Sequence, residues 1–158
     1  MKLEAIKKQE EMLQFEHFSN EDAISIGLKI IELAKRAGKG VAIDISRNRV
    51  TLFHAAMDGT NGTNELWMKR KKNTIYFFEN SSLNYQTETD LDNKEIIKSG
   101  LNNIEYASAG GAFPVKLKGT GFVGAVIVSG LKGAEDHDLA AHAIAEYLGI
   151  KDLPSVLD

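Results

Sequence analysis

Two hairpin patterns, separated by helical segments, restrict the fold of this chain more than any other feature of its sequence. In the first, residues 41–46 alternate between apolar and small or polar side chains, and residues 50–54 repeat the alternation after a turn at Arg47-Asn48. Asparagine tolerates the positive φ of a tight two-residue turn, which suits Asn48 to this position. The pattern predicts a pair of antiparallel strands.

The second hairpin pattern covers residues 113–128, with a turn at 119–121. Its second strand is apolar on both faces, which is typical of a central strand covered on both sides. Pro114 has no amide hydrogen, so the first strand is expected to have a free edge. Because helical segments separate the hairpins, we expect one antiparallel sheet with helices packed on it, an α+β sandwich that needs no parallel crossover.

Capping residues mark the ends of the helices. Ser19 and Asp22 form a loose capping box before the first long helix, and Gly38 is the glycine expected beyond its C-terminus. Thr63 or Asn64 is expected to cap the next helix. The later helical regions are expected to reach residue 78, to cover 82–98 as one helix or two short ones, and to cover 133–148.

Length and composition favour a single domain over residues 1–158, since no linker divides the chain. An N-terminal helix at about 1–14 carries few apolar positions, and we expect it to pack on the core or on an oligomer partner. The absence of cysteine excludes disulfides and thiolate zinc sites and suits the cytoplasm. The formal net charge of -3 and the short apolar run at 122–128 argue against nucleic-acid and membrane partners.

Four consecutive cations, Lys69, Arg70, Lys71 and Lys72, follow Trp67 in a predicted helix. At about 100° per residue they cover too much of the helix circumference to share one solvated face, so at least one must turn inward. Arg70 and Lys71 lie on the side of Trp67, which is expected to point toward the core, and should border a pocket or an interface. They can pair with the chain's own carboxylates, or they can bind an anionic ligand.

Two histidines and two turns supply further candidate site residues. His137 lies on the buried stripe of the last helix, in its first turn, where the helix N-terminus favours the neutral imidazole. His54 ends a strand and is expected to face inward with that strand's apolar side chains. Each histidine is either a hydrogen-bonded core residue or a base or ligand. Gly110-Gly111 and the turn that begins at Ser129 expose backbone amides, either as plain turns or as an anion site.

Several short motifs occur together in a fixed order. They are Phe-Ser-Asn-Glu-Asp-Ala at 18–23, Val-Ala-Ile-Asp-Ile at 41–45, Leu-Phe-His at 52–54, Gly-Thr at 59–60, Trp67 with Arg70-Lys71, Ser81-Ser82, Gly-Gly-Ala-Phe-Pro at 110–114, Val-Ser-Gly-Leu at 128–131 and Asp136-His137. In order and spacing they resemble the uncharacterised-protein family that carries the heme-degrading-domain label. The resemblance implies a profilin-like α/β/α sandwich, assembly into dimers or larger homo-oligomers, and relatives that bind or break down heme.

The resemblance also places the ligand-binding residues. They are His54, Trp67, Arg70, Lys71, Asn80, Ser81, Ser82, Gly110, Gly111, Ser129 and His137. Family members usually carry histidines before the Ser-Ser and Gly-Gly pairs, where this chain has Asn80 and Ala109. Two candidate iron ligands are therefore missing, although Asn80 can still contribute polar contacts.

Three functions remain open at this point. The first is an oligomeric, cytoplasmic binding module for a small, partly anionic ligand, with heme among the candidates and Arg70 and Lys71 holding carboxylates. The second is a scaffold for assembly and a protein partner. The third is a heme-degrading enzyme with His54 or His137 as base or ligand. Common hydrolase, nucleotide-binding and metal motifs are absent from the sequence, which assigns neither a catalytic residue nor a metal site.

Overall fold

The structure is a computed structural model that describes residues 2–89, 96 and 98–157. The elements follow in the order α1 (Lys2–Met12), α2 (Asn20–Arg36), β1 (Ala42–Arg47), β2 (Val50–Ala56), α3 (Gly62–Phe78), α4 (Ser82–Thr89), β3 (Ala112–Leu117), β4 (Gly121–Ser129) and α5 (Gly133–Leu148). The helical region predicted at 82–98 is confirmed in its first part by α4, and most of its second part lies outside the described residues.

The four strands form one sheet in the order β2-β1-β4-β3, and the pairings between these strands are all antiparallel. In the centre, β1 pairs with β4, from Ala42 opposite Ser129 to Arg47 opposite Gly124. The α+β prediction is confirmed, with β4 covered on both sides. The strand that contains Pro114 lies at an edge, as the missing amide hydrogen indicated.

Helices cover both faces of this sheet, which makes the fold an α/β/α sandwich. On one face, α2 and α5 pack on side chains such as Ile45 and Val126. On the other face, α3 packs Met68 over Ala125 and Ile127. Each large apolar side chain buried in these layers contributes about 1.5–3 kcal/mol to folding.

The N-terminal helix α1 packs against α4 of the same chain. Ile6 of α1 is buried with Leu83 and Val156 in a small separate cluster. No helix among the described residues is long and apolar enough to cross a membrane.

The first hairpin differs from the prediction in two details. Its turn is Asn48-Arg49, with φ values of 49° and 66°, rather than Arg47-Asn48. Positive φ at both residues is typical of the mirror-image turns that join twisted strands. A bulge leaves Leu52 without a partner in the register with β1. Because of this extra residue, Leu52 packs on the α2 side, whereas His54 turns toward α3.

The helix caps follow the sequence closely, with one correction. The capping box of Ser19 and Asp22 is confirmed at the start of α2. The cap of α3 is Asn61 rather than Thr63 or Asn64. The Asn61 side chain accepts a hydrogen bond from the Thr63 amide at 2.9 Å, and the Asn64 side chain accepts one from the Asn61 amide at 3.0 Å.

Candidate functional site

A pocket of about 380 Å³ opens where the C-terminal end of β4 meets the first turns of α3 and α5. Four of the predicted site residues line it, namely Trp67, Lys71, Gly110 and Ser129. The other lining residues are Thr63, Asn64, Ala109, Gly130, Leu131, Gly133 and Asp136. The end of the central strand therefore brings together side chains from two helical layers.

Lys71 of α3 and Asp136 of α5 form a buried ion pair at the base of this pocket. The Lys71 Nζ donates to Asp136 Oδ2 at 3.1 Å and to the Val128 carbonyl oxygen at 2.9 Å. Burial lowers the pKa of the Lys71 ammonium despite its carboxylate partner, and burial raises the pKa of Asp136 to about 6 against the opposing effect of Lys71. The inward turn predicted for one of the four cations is confirmed at Lys71.

The turn that precedes α5 exposes backbone amides, but they donate hydrogen bonds to a carboxylate of the same chain. The Leu131 amide donates to Asp136 Oδ1 at 2.9 Å. At the other predicted anion site, the Gly110 amide donates to the Gln86 side chain at 2.9 Å. The Asp136 carboxylate lies at the start of α5, where the helix dipole favours a negative charge.

Gly111 lies directly against the ion pair. A Cβ on this residue would sit 2.6 Å from Lys71 Nζ and 2.5 Å from the Val128 carbonyl oxygen. Its φ of +130° also lies in the region that favours glycine. The close approach of the strand to Lys71 therefore requires a residue without a side chain.

Trp67 lies at the mouth of the pocket with 37% of its surface exposed, so the prediction that it points into the core is wrong. Met68 takes the core position instead. The Arg70 guanidinium stacks 4.6 Å from the centre of the indole ring and donates to the carbonyl oxygens of Asn103 at 2.8 Å and Tyr106 at 3.3 Å. Arg70 thus supports Trp67 from outside the pocket lining.

His54 belongs to a second, smaller cleft of about 180 Å³ on another side of α3. Its imidazole contacts Asp44 at 2.9 Å and Glu65 at 3.0 Å, and Lys72 Nζ lies 3.5 Å from Asp44. Partial burial opposes the charged form, but the hydrogen bonds to the two carboxylates raise the pKa of His54. With 41% of its side chain exposed, His54 does not face inward as predicted, because the bulge at Leu52 changes its face.

His137 is completely buried between α5, α1 and the sheet. Its Nε2 contacts Gln9 Oε1 at 2.8 Å, and its ring lies 5.3 Å from that of Phe113. Burial lowers the pKa of His137 to about 3, so the neutral form predicted from the helix N-terminus is present, with desolvation as the main cause. It does not line the pocket.

The predicted residues around the start of α4 also lie away from the pocket lining. Ser82 Oγ accepts a hydrogen bond from the Ala112 amide at 3.0 Å, and Ser81 Oγ accepts one from the Asn84 amide at 3.0 Å. Asn80 lines a separate polar groove beside α1. The two serines satisfy backbone donors and so hold α4 and β3 in place.

Asp136 is the site residue that the sequence prediction missed as a partner of Lys71. In the sequence, Asp136 stands out only as part of the Asp136-His137 motif. An inward lysine requires a buried acceptor, and that requirement was the available signal for a carboxylate elsewhere in the chain. Thr63 and Asn64 were considered only as caps, yet both line the pocket.

The described side chains do not fit heme held through a histidine at this pocket. None of the four histidines of the chain lines it. Both ring nitrogens of His54 contact carboxylates, and His137 is buried elsewhere. In the described ranges, no cluster of three or more His, Cys, Asp or Glu side chains is arranged to hold a metal ion.

Comparison with known structures shows the same fold. The Ybr137w protein aligns with a TM-score of 0.84 and 29% identity, over 93% of this chain and 87% of that one. HbpS aligns with a TM-score of 0.67 and 22% identity, over 84% and 91%. The PduOC:Heme complex aligns with a TM-score of 0.63 and 16% identity, over 81% and 93%.

Sequence relatives extend over nearly the whole chain. A UPF0303 protein of Rhizobium meliloti is 41% identical over 150 residues, which is 93% of this chain and 90% of the relative. A UPF0303 protein of Rhizobium leguminosarum bv. trifolii is 38% identical over 154 residues, 98% of this chain and 93% of the relative. The family model described as "Haem degrading protein HbpS-like" matches residues 18–145. This chain therefore belongs to the HbpS-like family, among relatives named UPF0303 proteins.

Proposed function

We propose that this protein is a binding module for a small, partly anionic organic ligand held in the pocket between α3 and α5. The observation that supports it is the convergence of Trp67, Lys71, Ser129 and Asp136 on one pocket of about 380 Å³. Small-molecule sites commonly occupy about 300–1,000 Å³ and combine apolar surface with a few polar groups. This pocket meets both conditions.

The charges at the base of the pocket limit which ligands fit. Asp136 already neutralises Lys71 at 3.1 Å, so the ion pair offers little net attraction to a fully anionic molecule. The Asn64 amide and the Ser129 hydroxyl are joined only by a long hydrogen bond of 3.4 Å, and both can pair with a ligand instead. The Trp67 indole adds a flat apolar surface. A planar molecule with one polar or carboxylate end suits this arrangement.

Heme is one planar carboxylate to test, because the family is described as haem degrading and the PduOC neighbour is a heme complex. Since no histidine lines the pocket, we expect any heme affinity to be independent of His54. Benzoate is the matched small probe, with one aromatic ring and one carboxylate.

Trp67 is the single tryptophan of the chain and lies at the pocket mouth, so its fluorescence reports on occupancy. We expect saturable changes on titration with benzoate or hemin. Ser129→Ala should weaken binding roughly tenfold, as expected for a lost hydrogen bond to a charged group. Asn80→Ala, in the separate groove, is the matched control and should leave affinity unchanged. A linear response to both probes, or equal affinity in wild type and Ser129→Ala, would refute the proposed site.

Homo-oligomer formation and a cytoplasmic location stay part of this proposal. Large apolar side chains are exposed on α3 and the segment beside it, including Leu66, Phe77 and Ile104. Exposed apolar surface of this kind favours self-association. Light scattering tests the oligomer directly, and a monomeric mass at micromolar concentration would contradict it.

A further inference from the structure

We propose that Lys71 is a carbonyl-reactive amine, and that the ligands of this pocket include small aldehydes or ketones held as an imine on its Nζ. This inference rests on the proposed binding function of the same pocket. It adds a covalent step and a chemical class of ligand.

The position of the Lys71 amine supports this role. Only 3% of the residue is exposed, and it lines the base of the pocket beside Gly110. Gly111 keeps a side-chain carbon out of the space next to Nζ, where a Cβ would lie at 2.6 Å. Most lysines are solvated ammonium ions, whereas this one lies among main-chain atoms and a single carboxylate.

Asp136 supplies a proton acceptor in direct contact. Its Oδ2 lies 3.1 Å from Nζ, and the Leu131 amide holds its Oδ1 at 2.9 Å. Proton transfer along the first contact converts the ion pair into a neutral amine and a carboxylic acid. Burial favours this neutral pair, because it lowers the pKa of Lys71 and raises that of Asp136 to about 6. The Val128 carbonyl oxygen, 2.9 Å from Nζ, keeps the amine in place.

The reaction balances without an oxidant or a reductant. The neutral amine attacks the carbonyl carbon, a C–N bond forms, and a proton moves from nitrogen to the former carbonyl oxygen. Asp136 then protonates the resulting hydroxyl, which leaves as water. The product is a protonated imine beside the Asp136 carboxylate, so one amine and one carbonyl give one imine and one water.

Reductive trapping tests this inference on the wild-type protein. Benzaldehyde and sodium cyanoborohydride are added near neutral pH, and the alkylated lysines are quantified by peptide mass spectrometry. Burial lowers the pKa of Lys71 and so increases its free-amine fraction near neutral pH. We therefore expect Lys71 to be labelled severalfold faster than Lys69, an exposed lysine on the same helix. Unfolding in urea should abolish the difference.

Asp136→Asn removes the acid that protonates the leaving hydroxyl, so imine formation on Lys71 should slow to the rate of Lys69 even though loss of the carboxylate lowers the pKa of Lys71 further. Circular dichroism confirms that the variant is folded. Lys71 labelled no faster than Lys69 in the folded wild type would overturn the inference. So would a folded Asp136→Asn protein that keeps the preference. If Trp67 fluorescence shows saturable benzoate binding but Lys71 is not labelled preferentially, the proposed binding function stands and only the amine chemistry is rejected.

Discussion

Replacing Lys71 by methionine should destabilise the protein strongly, because it leaves Asp136 buried without its cation. Methionine keeps most of the volume of the lysine stem, so packing in the wall of the pocket changes little. Breaking a buried ion pair by removing one partner typically costs about 3–5 kcal/mol. The Leu131 amide still donates to Asp136, which places the expected loss near the lower end, about 3 kcal/mol in the free energy of unfolding at about pH 7.

The pH dependence of this loss follows from the protonation of Asp136. Its pKa is about 6 in the folded wild type, above the ordinary value of 3.8, and removal of Lys71 takes away an effect that lowers it. A carboxyl whose pKa is higher in the folded than in the unfolded state binds protons more readily when folded. The free energy of unfolding therefore falls as pH rises from the unfolded-state pKa to the folded-state pKa. The loss caused by Lys71→Met should therefore be smaller at about pH 5 than at about pH 7.

Urea unfolding, followed by circular dichroism, measures these differences against two controls. Lys69→Met, on the exposed face of α3, should change stability by less than about 0.5 kcal/mol. The Lys71→Met, Asp136→Asn double variant should recover at least about 1 kcal/mol relative to Lys71→Met, since no charge stays buried. A loss below about 1 kcal/mol in Lys71→Met, or a double variant as unstable as the sum of its singles, would refute the account of the pair.

Three further predictions concern single positions. Gly111→Ala should lower the free energy of unfolding by more than about 2 kcal/mol. Gly119→Ala is the control, with φ +76° and nothing within 4 Å of a Cβ, and should cost only the backbone strain of about 1 kcal/mol. Equal costs would contradict the close approach of Gly111 to Lys71. His54→Gln should lower stability more at about pH 6 than at about pH 9, because the raised pKa of His54 stabilises the folded state below its unfolded value and this benefit is lost as pH rises through the folded one; a pH-independent difference in urea melts would argue against the two carboxylate contacts. Ser19→Ala should cost about 1 kcal/mol by the same assay, and no cost would show that the cap of α2 is dispensable.

The secondary structure could be predicted well because its signals are local. Alternation, caps and glycines depend on neighbouring residues, and the strands and helices form where these signals lie, although the cap of α3 is Asn61 rather than Thr63 or Asn64. The errors arose where one residue changes a geometry. The extra residue at Leu52 turned His54 to the other face of the sheet, and the hairpin turn moved by one position. A bulge leaves no clear mark in a single sequence, so the orientation of His54 could not be predicted.

The candidate site was predictable only in part. The helical period required one of the four cations to turn inward, and Lys71 does so. Its partner Asp136 follows 65 positions later. Their contact depends on how α3 and α5 pass the end of β4 from opposite faces of the sheet, which no local pattern encodes. Ser81, Ser82 and His137 were grouped with the pocket by resemblance, and the structure places them in separate polar contacts.

Three of the cations that follow Trp67 hold α3 in place through separate contacts. Lys71 bonds across the end of the sheet to Asp136, Lys72 lies beside Asp44 in the second cleft, and Arg70 bonds to main-chain carbonyls while it stacks on Trp67. These three charges are thus engaged within the chain, so they add little attraction for an anionic ligand. We therefore expect recognition at the pocket to depend on the indole surface of Trp67, on hydrogen bonds that a ligand can replace, and on the buried pair of Lys71 and Asp136. This is why Ser129→Ala and the trapping of Lys71 test the site more directly than removal of surface charge.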